Sequence, residues 1–191
     1  MLVDERVARS LGDTETPQGV VAVVQQPRHR LDEVLAGRPR LVAMLSGVAD
    51  PGNAGTVIRT ADAAGADAVV LTRGSTDPYA GKCVRASAGS LFHLPVVTGL
   101  TTTPTIDAFR EAGLTVLAAT LDGDSIDDID DVLAGPVAWV FGNEAHGLDG
   151  DALAAADRRV RVPIRGRAES LNLAAAAAVC LYATVRAQHA Q

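Results

Sequence analysis

The sequence predicts an α/β fold, with an open and mostly parallel sheet and helices on both faces. Short runs without polar residues, such as 41–45 and 137–141, are typical of strands that are buried on both sides. Between such runs lie segments with apolar residues at helical spacing, for example 54–64, which ends at Gly65. Strands and helices that alternate in this way form parallel sheets, because the connecting helices pack on the faces of the sheet.

The predicted elements follow one another from the first residue. Residues 1–10 indicate the end of a helix, 12–17 a turn, and Val20–Val24 a short apolar strand. Residues 27–39 are rich in arginine and contain a short helical patch. Beyond Arg40, we expect strands at 41–45, 68–71, 94–97, 115–120, 137–141 and 159–162. The expected helices cover 54–64, 79–88, 106–112, 151–156 and 171–188.

The charge balance is unlike that of a typical RNA-binding domain. Lysine and arginine number 17 against 23 acidic residues, which gives a net charge of −6. A protein that binds RNA through its phosphates usually carries a basic surface, so we expect weak RNA affinity from this chain alone. Sixteen of the 17 basic residues are arginines, which suit phosphate better than lysine does. One predicted loop carries a cluster of acids, Asp122, Asp124, Asp127, Asp128, Asp130 and Asp131.

Simple patterns argue against several classes of protein. Cys83 and Cys180 lie far apart and neither belongs to a CxxC pair, so we expect neither a disulfide nor a zinc site, and a reducing cytoplasm fits. No apolar run reaches the length of a membrane span, and the first residues lack the apolar core of a signal peptide. We therefore expect no metal and no membrane association.

Three polar segments follow predicted strands, which is where open α/β sheets bind ligands. They are 50–60 (DPGNAGTVIRT), 141–148 (FGNEAHGL) and 162–172 (VPIRGRAESLN). In the first, Asn53 stands where a helix N-cap belongs, and Arg59 lies beside apolar positions, as surface arginines often do. Its glycines match neither the dinucleotide nor the P-loop pattern, which disfavours the rival class of nicotinamide-dependent oxidoreductases.

The other two segments also have plain structural interpretations. Asn143 and the glycines around it could supply positive φ angles in an ordinary turn. Ser170 or Asn172 could cap the helix that follows, and Arg165 and Arg167 could be solvated or could bind phosphates.

Together and in this order, the three segments resemble the signature motifs of the SpoU family, in the SPOUT superfamily of RNA methyltransferases. The resemblance runs from about Leu41 to Arg186 and rests on the texts DPGNAGTVIRTADAAGAD, FGNEAHGL and VPIRGRAESLNLAAAAAVCLYATVR. It implies an S-adenosylmethionine-dependent enzyme that methylates a ribose 2′-hydroxyl. Ribosomal RNA is favoured as the substrate by a second resemblance, at the start of the chain. A transfer-RNA methyltransferase and a non-catalytic RNA-binding relative are the alternatives. It also implies a C-terminal trefoil knot.

The resemblance implies catalytic positions at Asn53, Arg59, Glu144, Ser170 and Asn172, and all five carry the expected residue. Arg59 is the family's candidate for activating the hydroxyl. Because a guanidinium is always protonated, a better role for it is to orient the phosphate and stabilise the developing alkoxide. Glu144 would organise its loop or accept a proton. The resemblance implies a cofactor pocket formed by Thr120, Leu121, Gly142, Asn143, Val162, Ile164 and Leu171.

The start of the chain adds a second resemblance. LGDTETPQGVVAVVQQP is similar to the end of the small RNA-binding domain that precedes the catalytic domain in many family members. We therefore expect a remnant of that domain at 1–30, a linker at 31–39 and the methyltransferase domain at 40–191. Either the chain has been shortened or its start lies inside a longer protein.

The family resemblance also implies a homodimer with its active sites at the subunit boundary. A physical hint supports it, since a helix on the outside of a monomer should carry one apolar stripe. The C-terminal helix is apolar around more than one face, through Ala174–Ala178, Val179, Leu181, Tyr182 and Val185. The first-motif helix, with Ala61, Ala63 and Ala64, is its expected partner in the second subunit. The alternative is that the alanines pack internally against the sheet.

Overall fold

Seven parallel strands form the sheet at the centre of the computed structural model, which describes residues 2–12 and 19–190. The strands are β1 (Leu41–Leu45), β2 (Ala68–Thr72), β3 (Val96–Leu100), β4 (Thr115–Thr120), β5 (Asp124–Ser125), β6 (Val137–Phe141) and β7 (Arg158–Arg161). Their order across the sheet is β3-β2-β1-β6-β4-β7-β5, and each pairing of neighbours is parallel. The predicted fold class is confirmed.

Helices cover both faces of this sheet. They are α1 (Glu5–Ser10), α2 (Leu31–Ala36), α3 (Pro51–Ala63), α4 (Gly81–Ser87), α5 (Thr102–Glu111), α6 (Asp130–Leu133), α7 (Gly150–Ala155) and α8 (Leu173–His189). Residues of α3, α4, α6 and α8 pack into the core on one face, and residues of α2, α5 and α7 pack on the other. In the described residues, no helix is both long and apolar enough to cross a membrane.

The alternation of side chains along β1 explains the two cores. Leu41, Ala43 and Leu45 belong to the core beneath α3 and α8, whereas Val42 and Met44 belong to the opposite core. All five are buried, as a continuously apolar parallel strand predicts.

A buried hydrogen bond joins α8 to the sheet. Trp139 of β6 is fully buried, and its indole Nε1 donates to Thr184 Oγ1 of α8 at 2.9 Å. The Thr184 hydroxyl in turn donates to the carbonyl of Cys180 at 3.0 Å. The Trp139 ring also stacks on Phe141, with ring centroids 6.1 Å apart. These contacts fix α8 against β6, whose last residue borders the site described below.

Several predicted elements differ from the structure. The strand expected at Val20–Val24 is wrong, because these residues have no strand partner and their valines are exposed. The helix expected at 106–112 begins four residues earlier, at Thr102 in α5, because proline is tolerated in a first turn. The predicted acidic loop contains β5, a 3-10 turn and the short helix α6. Most of the predicted turn at 12–17 lies outside the described residues.

The N-terminal residues make few contacts with the sheet. Tyr79 donates a 2.7 Å hydrogen bond from its hydroxyl to the carbonyl of Pro27. Leu31, Val34 and Leu35 of α2 pack on the core beside α5. The segment before Pro27 is mostly exposed where it is described. The division into an RNA-binding remnant, a linker and a catalytic domain stays a prediction.

Candidate active site

A cavity of about 770 Å³ opens at the carboxyl ends of β4, β6 and β7, beside the start of α8. This edge of an open α/β sheet is where ligands bind. Every residue predicted for the cofactor pocket lines the cavity, namely Thr120, Leu121, Gly142, Asn143, Val162, Ile164 and Leu171. So do four of the five predicted catalytic residues, Asn53, Glu144, Ser170 and Asn172. The three sequence segments therefore meet in space.

The cavity also has walls that the sequence analysis did not identify. These residues are Ala119, Phe141, Ala145, His146, Gly147, Leu148, Leu153, Val160, Leu173, Ala176 and Cys180. Phe141 and Leu148 belong to the second motif, so their position in that motif could have identified them as cavity residues. Ala176 and Cys180 lie four residues apart and therefore share a face of α8, which only the packing of that helix reveals.

The turn after β6 is closed by its own backbone. Asn143 and Gly147 exchange two backbone hydrogen bonds, of 2.9 and 2.8 Å. A Cβ on Gly142 would overlap the backbone of Gly147, so glycine is required there for close approach. In this turn only Gly147 has a positive φ, of 68°. The interpretation of Asn143 and Gly142 as positive-φ residues is therefore wrong.

The side chain of Asn143 ties this turn to the loop after β1. Its Nδ2 donates to the carbonyl of Gly47 at 2.8 Å, and its Oδ1 accepts from the backbone nitrogens of Ala145 and His146. The backbone nitrogen of Ser46 also donates to the carbonyl of Phe141 at 2.8 Å. The loops after two adjacent strands, β1 and β6, are thus held together.

The predicted N-cap role of Asn53 is wrong, because Asp50 caps α3 instead. The Asp50 Oδ1 atom accepts from the backbone nitrogen of Asn53 at 2.8 Å, and Pro51 occupies the first helical position. Asn53 therefore lies within the first turn, and its side chain is free to face the cavity.

Glu144 connects the second motif to the first. Its carboxylate accepts hydrogen bonds from the backbone nitrogens of Ala49 and Asp50 and from Nδ2 of Asn53, each at 3.1 Å. Asn172 Nδ2 donates to Asn53 Oδ1, also at 3.1 Å. Asn172 is in addition the N-cap of α8, since its Oδ1 accepts from Ala174 and Ala175. One chain of hydrogen bonds therefore joins all three motifs.

The orientation of each amide in this chain follows from its partners. An ionised carboxylate only accepts, so Asn53 must turn its NH₂ group towards Glu144. The carbonyl of Asn53 then faces Asn172, which must donate to it, and the carbonyl of Asn172 is left to accept from α8. The pattern is consistent from end to end.

Hydrogen bonding also sets the charge of Glu144. Burial acts to raise the pKa of its carboxyl, but the donors from Asn53, Ala49 and Asp50 outweigh burial and hold the pKa below its ordinary value. Glu144 is therefore ionised at neutral pH, and a carboxylate with a lowered pKa is a poor proton acceptor. The geometry favours its organising role over a role as base.

A second, open cavity adjoins the first. Its lining residues are Ala49, Asp50, Asn53, Asn143, Glu144, Ala145, His146 and Asn172. Asn53, Glu144 and Asn172 therefore form part of the boundary of both cavities. We call this hydrogen-bonded group of three residues the wall of the site.

Arg59 stands apart from the other predicted catalytic residues. It lies on α3, its side chain is exposed, and it is absent from the lining of both cavities. Within residues 2–12 and 19–190, its side chain makes no hydrogen bond or ion pair. Ser170 lines the larger cavity and is exposed. A single chain therefore brings together four of the five predicted catalytic residues.

Arg165, considered above as a phosphate ligand, is paired within the chain. Its NH2 atom lies 2.8 Å from Asp127 Oδ2, across the segment that follows β4. In the part of the chain that the structure describes, no group of three or more histidine, cysteine, aspartate or glutamate residues could hold a metal ion.

A parallel α/β sheet with an open cavity at the carboxyl ends of its strands defines the class of site, a ligand-binding cleft of an α/β protein. The particular family follows from comparison, because residues 40–182 match the SpoU rRNA Methylase family. The chain belongs to this family, as its three motifs predicted.

Curated relatives agree with this assignment. The chain is 39% identical over 183 residues to the 23S rRNA (guanosine(2553)-2′-O)-methyltransferase RlmP of Bacillus subtilis, covering 95% of this chain and 70% of the relative. It is 38% identical over 176 residues to the 23S rRNA (uridine(2479)-2′-O)-methyltransferase of Streptomyces viridochromogenes, covering 90% of this chain and 61% of the relative. The chain thus spans under two thirds of the second relative.

A solved structure gives the same result for the fold. The SpoU methyltransferase AviRb from Streptomyces viridochromogenes, in complex with the cofactor AdoMet, matches with a TM-score of 0.85 and 34% identity. The match covers 96% of this chain and 71% of that chain.

Proposed function

We propose that this chain is an S-adenosylmethionine-dependent methyltransferase that modifies a ribose 2′-hydroxyl of ribosomal RNA. The observation that carries the proposal is the hydrogen-bonded group of Asn53, Glu144 and Asn172, which joins the three motifs and lines both adjoining cavities. The curated relatives named above are 23S rRNA 2′-O-methyltransferases, and AviRb was solved with AdoMet.

The larger cavity fits a cofactor of this kind. Its volume is within the range of ordinary small-molecule sites, and its lining combines apolar side chains with backbone polar groups. Leu121, Val162, Ile164 and Leu171 would contact the adenine, and backbone groups of the turn at 142–147 would bind polar edges. S-adenosylmethionine, when bound, supplies an electrophilic methyl group.

The residues of the wall would position the ribose beside that methyl group. The ionised Glu144 holds the loop before α3, and Asn53 and Asn172 are oriented by their mutual hydrogen bond. Holding the hydroxyl in line would supply most of the catalytic effect. As the hydroxyl proton passes to solvent water, a cation close to the ribose oxygen would stabilise the developing alkoxide, and Arg59 is the predicted source of that charge.

Because Arg59 lies outside both cavities of its own chain, we propose that it acts in the site of a second copy. Two exposed apolar residues on the outside of α8 support a homodimer, since Val179 and Tyr182 are 41% and 51% exposed there. Ala174 and Ala177, by contrast, are buried in their own chain, as the alternative of internal packing expects. The expected contact surface on α3 is smaller than the sequence implied. Ala61 and Ala64 are buried in the core of their own chain, which leaves Ala63.

Cofactor binding is the first test. Calorimetry of the chain with S-adenosylmethionine should give saturable binding with a roughly micromolar Kd, about −8 kcal/mol. Folded protein that binds no S-adenosylmethionine would rule out the proposal, and binding of NADH instead would favour an oxidoreductase. Mass mapping of ribose methylation in cells with and without the gene would then identify the nucleotide and separate ribosomal from transfer RNA.

The shared site is tested by mixing inactive chains. Arg59→Ala should abolish methyl transfer and leave cofactor affinity unchanged, whereas Gly142→Trp should fill the cofactor cavity. Heterodimers of the two should regain partial activity, because one of their two sites is intact. Light scattering should give about twice the chain mass of 19.7 kDa. A monomer, or proven heterodimers without activity, would contradict the shared site.

The N-terminal segment leads to a proposal about RNA affinity. With a net charge of −6, this chain should bind RNA weakly and with a modest dependence on salt. If residues 1–30 are the end of an RNA-binding domain, a protein that carries the whole domain should bind much more tightly. Tight and specific binding by the present chain at physiological salt would contradict this proposal.

A further inference from the structure

Lys82 is the one lysine of the chain, and it lies beside the first turn of α3. Its Nζ atom is 2.7 Å from Oδ2 of Asp50, the residue that caps α3. The two residues are 32 positions apart in sequence, so the contact depends on how α3 and α4 pack.

The stem of Lys82 occupies a space that a glycine leaves open. A Cβ on Gly52 would lie 3.0 Å from Cε and 3.4 Å from Nζ of Lys82, and 2.7 Å from Oδ1 of Asp50. At position 55, a Cβ would overlap the backbone carbonyl of Cys83. Two glycines of the first motif thus permit α4 to approach α3, and the lysine side chain fills the space beside Gly52.

Asp50 links this lysine to the wall of the site. One carboxylate oxygen accepts from Lys82, and the other accepts from the backbone nitrogen of Asn53 at 2.8 Å. The backbone nitrogen of Asp50 itself donates to Glu144. Lys82 therefore contacts the residue that orients both Asn53 and the loop held by Glu144.

We propose that Lys82 is a positioning residue for methyl transfer, holding Asp50 so that Asn53 and Glu144 face the reacting ribose. This inference rests on the proposed function. Stability is not its main contribution, because the side chains of Lys82 and Asp50 are 58% and 43% exposed, and exposed ion pairs contribute little to stability. Its effect should therefore fall on the geometry of the site.

Two other roles for Lys82 give different kinetics. If its ammonium contacted an RNA phosphate, its removal would raise KM for RNA and reduce the salt dependence of binding. If the ion pair were only a surface contact, its removal would change neither kcat nor KM. A positioning residue lowers kcat and leaves both affinities intact.

The test compares Lys82→Met with Lys82→Arg and with Arg85→Met. Arg85 is exposed, lies one turn further along α4 and makes no ion pair with the described residues, so it is a matched control. The substrate is 23S ribosomal RNA transcribed without modification, and transfer is measured with labelled S-adenosylmethionine. Lys82→Met should lower kcat about five- to tenfold, with KM for RNA and Kd for the cofactor within about twofold.

Rescue and stability complete the test. Lys82→Arg should recover most of kcat, Arg85→Met should leave kcat unchanged, and Lys82→Met should shift Tm by less than about 3 °C. Three results for Lys82→Met would each overturn the positioning role. They are an unchanged kcat, a rise in KM for RNA alone, and a fall in Tm large enough to account for the fall in kcat. A wild-type chain that binds no cofactor and transfers no methyl group would instead remove the proposed function itself, which is a distinguishable result.

Discussion

Two polar clusters of the molecule are both built around carboxylates but are connected differently. The acidic segment, residues 122–131, forms exposed ion pairs that are separate from one another. These pairs are Asp124–Arg158, Asp122–Arg159, Asp127–Arg165 and Asp130–Arg186, with side chains 45–82% exposed. In the wall of the site, by contrast, Glu144 accepts three hydrogen bonds and Asn53 and Asn172 each donate and accept.

The difference in connection predicts a difference in sensitivity. A separate exposed pair is screened by salt and contributes little to stability. In a network, the loss of one member displaces several partners at once, even where water can take over its hydrogen bonds. Substitutions in the wall should therefore be costly, and substitutions in the acidic segment should be nearly silent.

The largest effect is expected from Glu144→Ala. It removes the acceptor for Ala49, Asp50 and Asn53 together, so the loop before α3 loses its connection to the turn after β6. We expect kcat for methyl transfer to fall at least about 100-fold. The free energy of unfolding should fall by about 1 kcal/mol, measured by urea titration.

A carboxylate of the acidic segment provides the control. Asp128→Ala removes an exposed acid of the same chemical type, and it should change neither quantity measurably. Equal losses in the two variants would contradict the distinction between the clusters.

A smaller effect is the coupling between Asn53 and Asn172. Single and double alanine variants form a cycle whose coupling free energy, from urea unfolding, should be about 1 kcal/mol, because the two amides bond each other directly. The same cycle for Asp127 and Arg165 should give less than about 0.5 kcal/mol. A larger coupling energy for Asp127 and Arg165 than for Asn53 and Asn172 would contradict the idea that the wall is the coupled cluster.

The pH dependence of stability isolates the charge on Glu144. Its pKa is lowered in the folded state, because its hydrogen-bond donors outweigh burial. Its ionisation therefore stabilises the fold above the pKa of the unfolded chain, and this contribution is lost as the pH falls through the folded pKa. Glu144→Gln should be less stable than the wild type at neutral pH, and the difference should shrink in acid. A difference that is constant from neutral to acid pH would contradict the assignment.

How much of this was predictable differs between parts of the molecule. The sheet was predictable because strands such as 41–45 and 137–141 are buried on both faces and are therefore continuously apolar in sequence. The cofactor cavity was predictable only through resemblance to known motifs, and those residues do line one cavity. The roles of the site residues and the knot stay predictions.

Two of the features that the sequence did not predict depend on long-range contacts, and a third depends on where a helix begins. The valines at 20–24 have the pattern of a strand, but no neighbouring strand pairs with them in the described residues. The choice of Asp50 over Asn53 as the cap of α3 depends on Pro51 and on where the helix begins. The contact between Lys82 and Asp50 spans 32 residues, and local patterns carry no information about it.

The smallest effect is expected from Asp127→Asn, which breaks the pair with Arg165. This pair links the segment after β4 to the loop after β7, and both segments border the larger cavity. Of the ion pairs in the acidic segment, it is therefore the one placed to affect cofactor affinity. The same two segments are already joined by the backbone pairing of Ser125 with Arg161, and Arg161 donates to the carbonyl of Gly123 at 3.1 Å. We therefore expect the Kd for S-adenosylmethionine to stay within about twofold and Tm to fall by less than about 2 °C.

That fall in Tm should disappear at about 0.5 M salt, because exposed charges are then screened. The freed Arg165 should raise RNA affinity slightly at low salt, since its guanidinium no longer has a carboxylate partner. A tenfold loss of cofactor affinity, measured by calorimetry, would show that the pair shapes the cavity and that the acidic segment is part of the site.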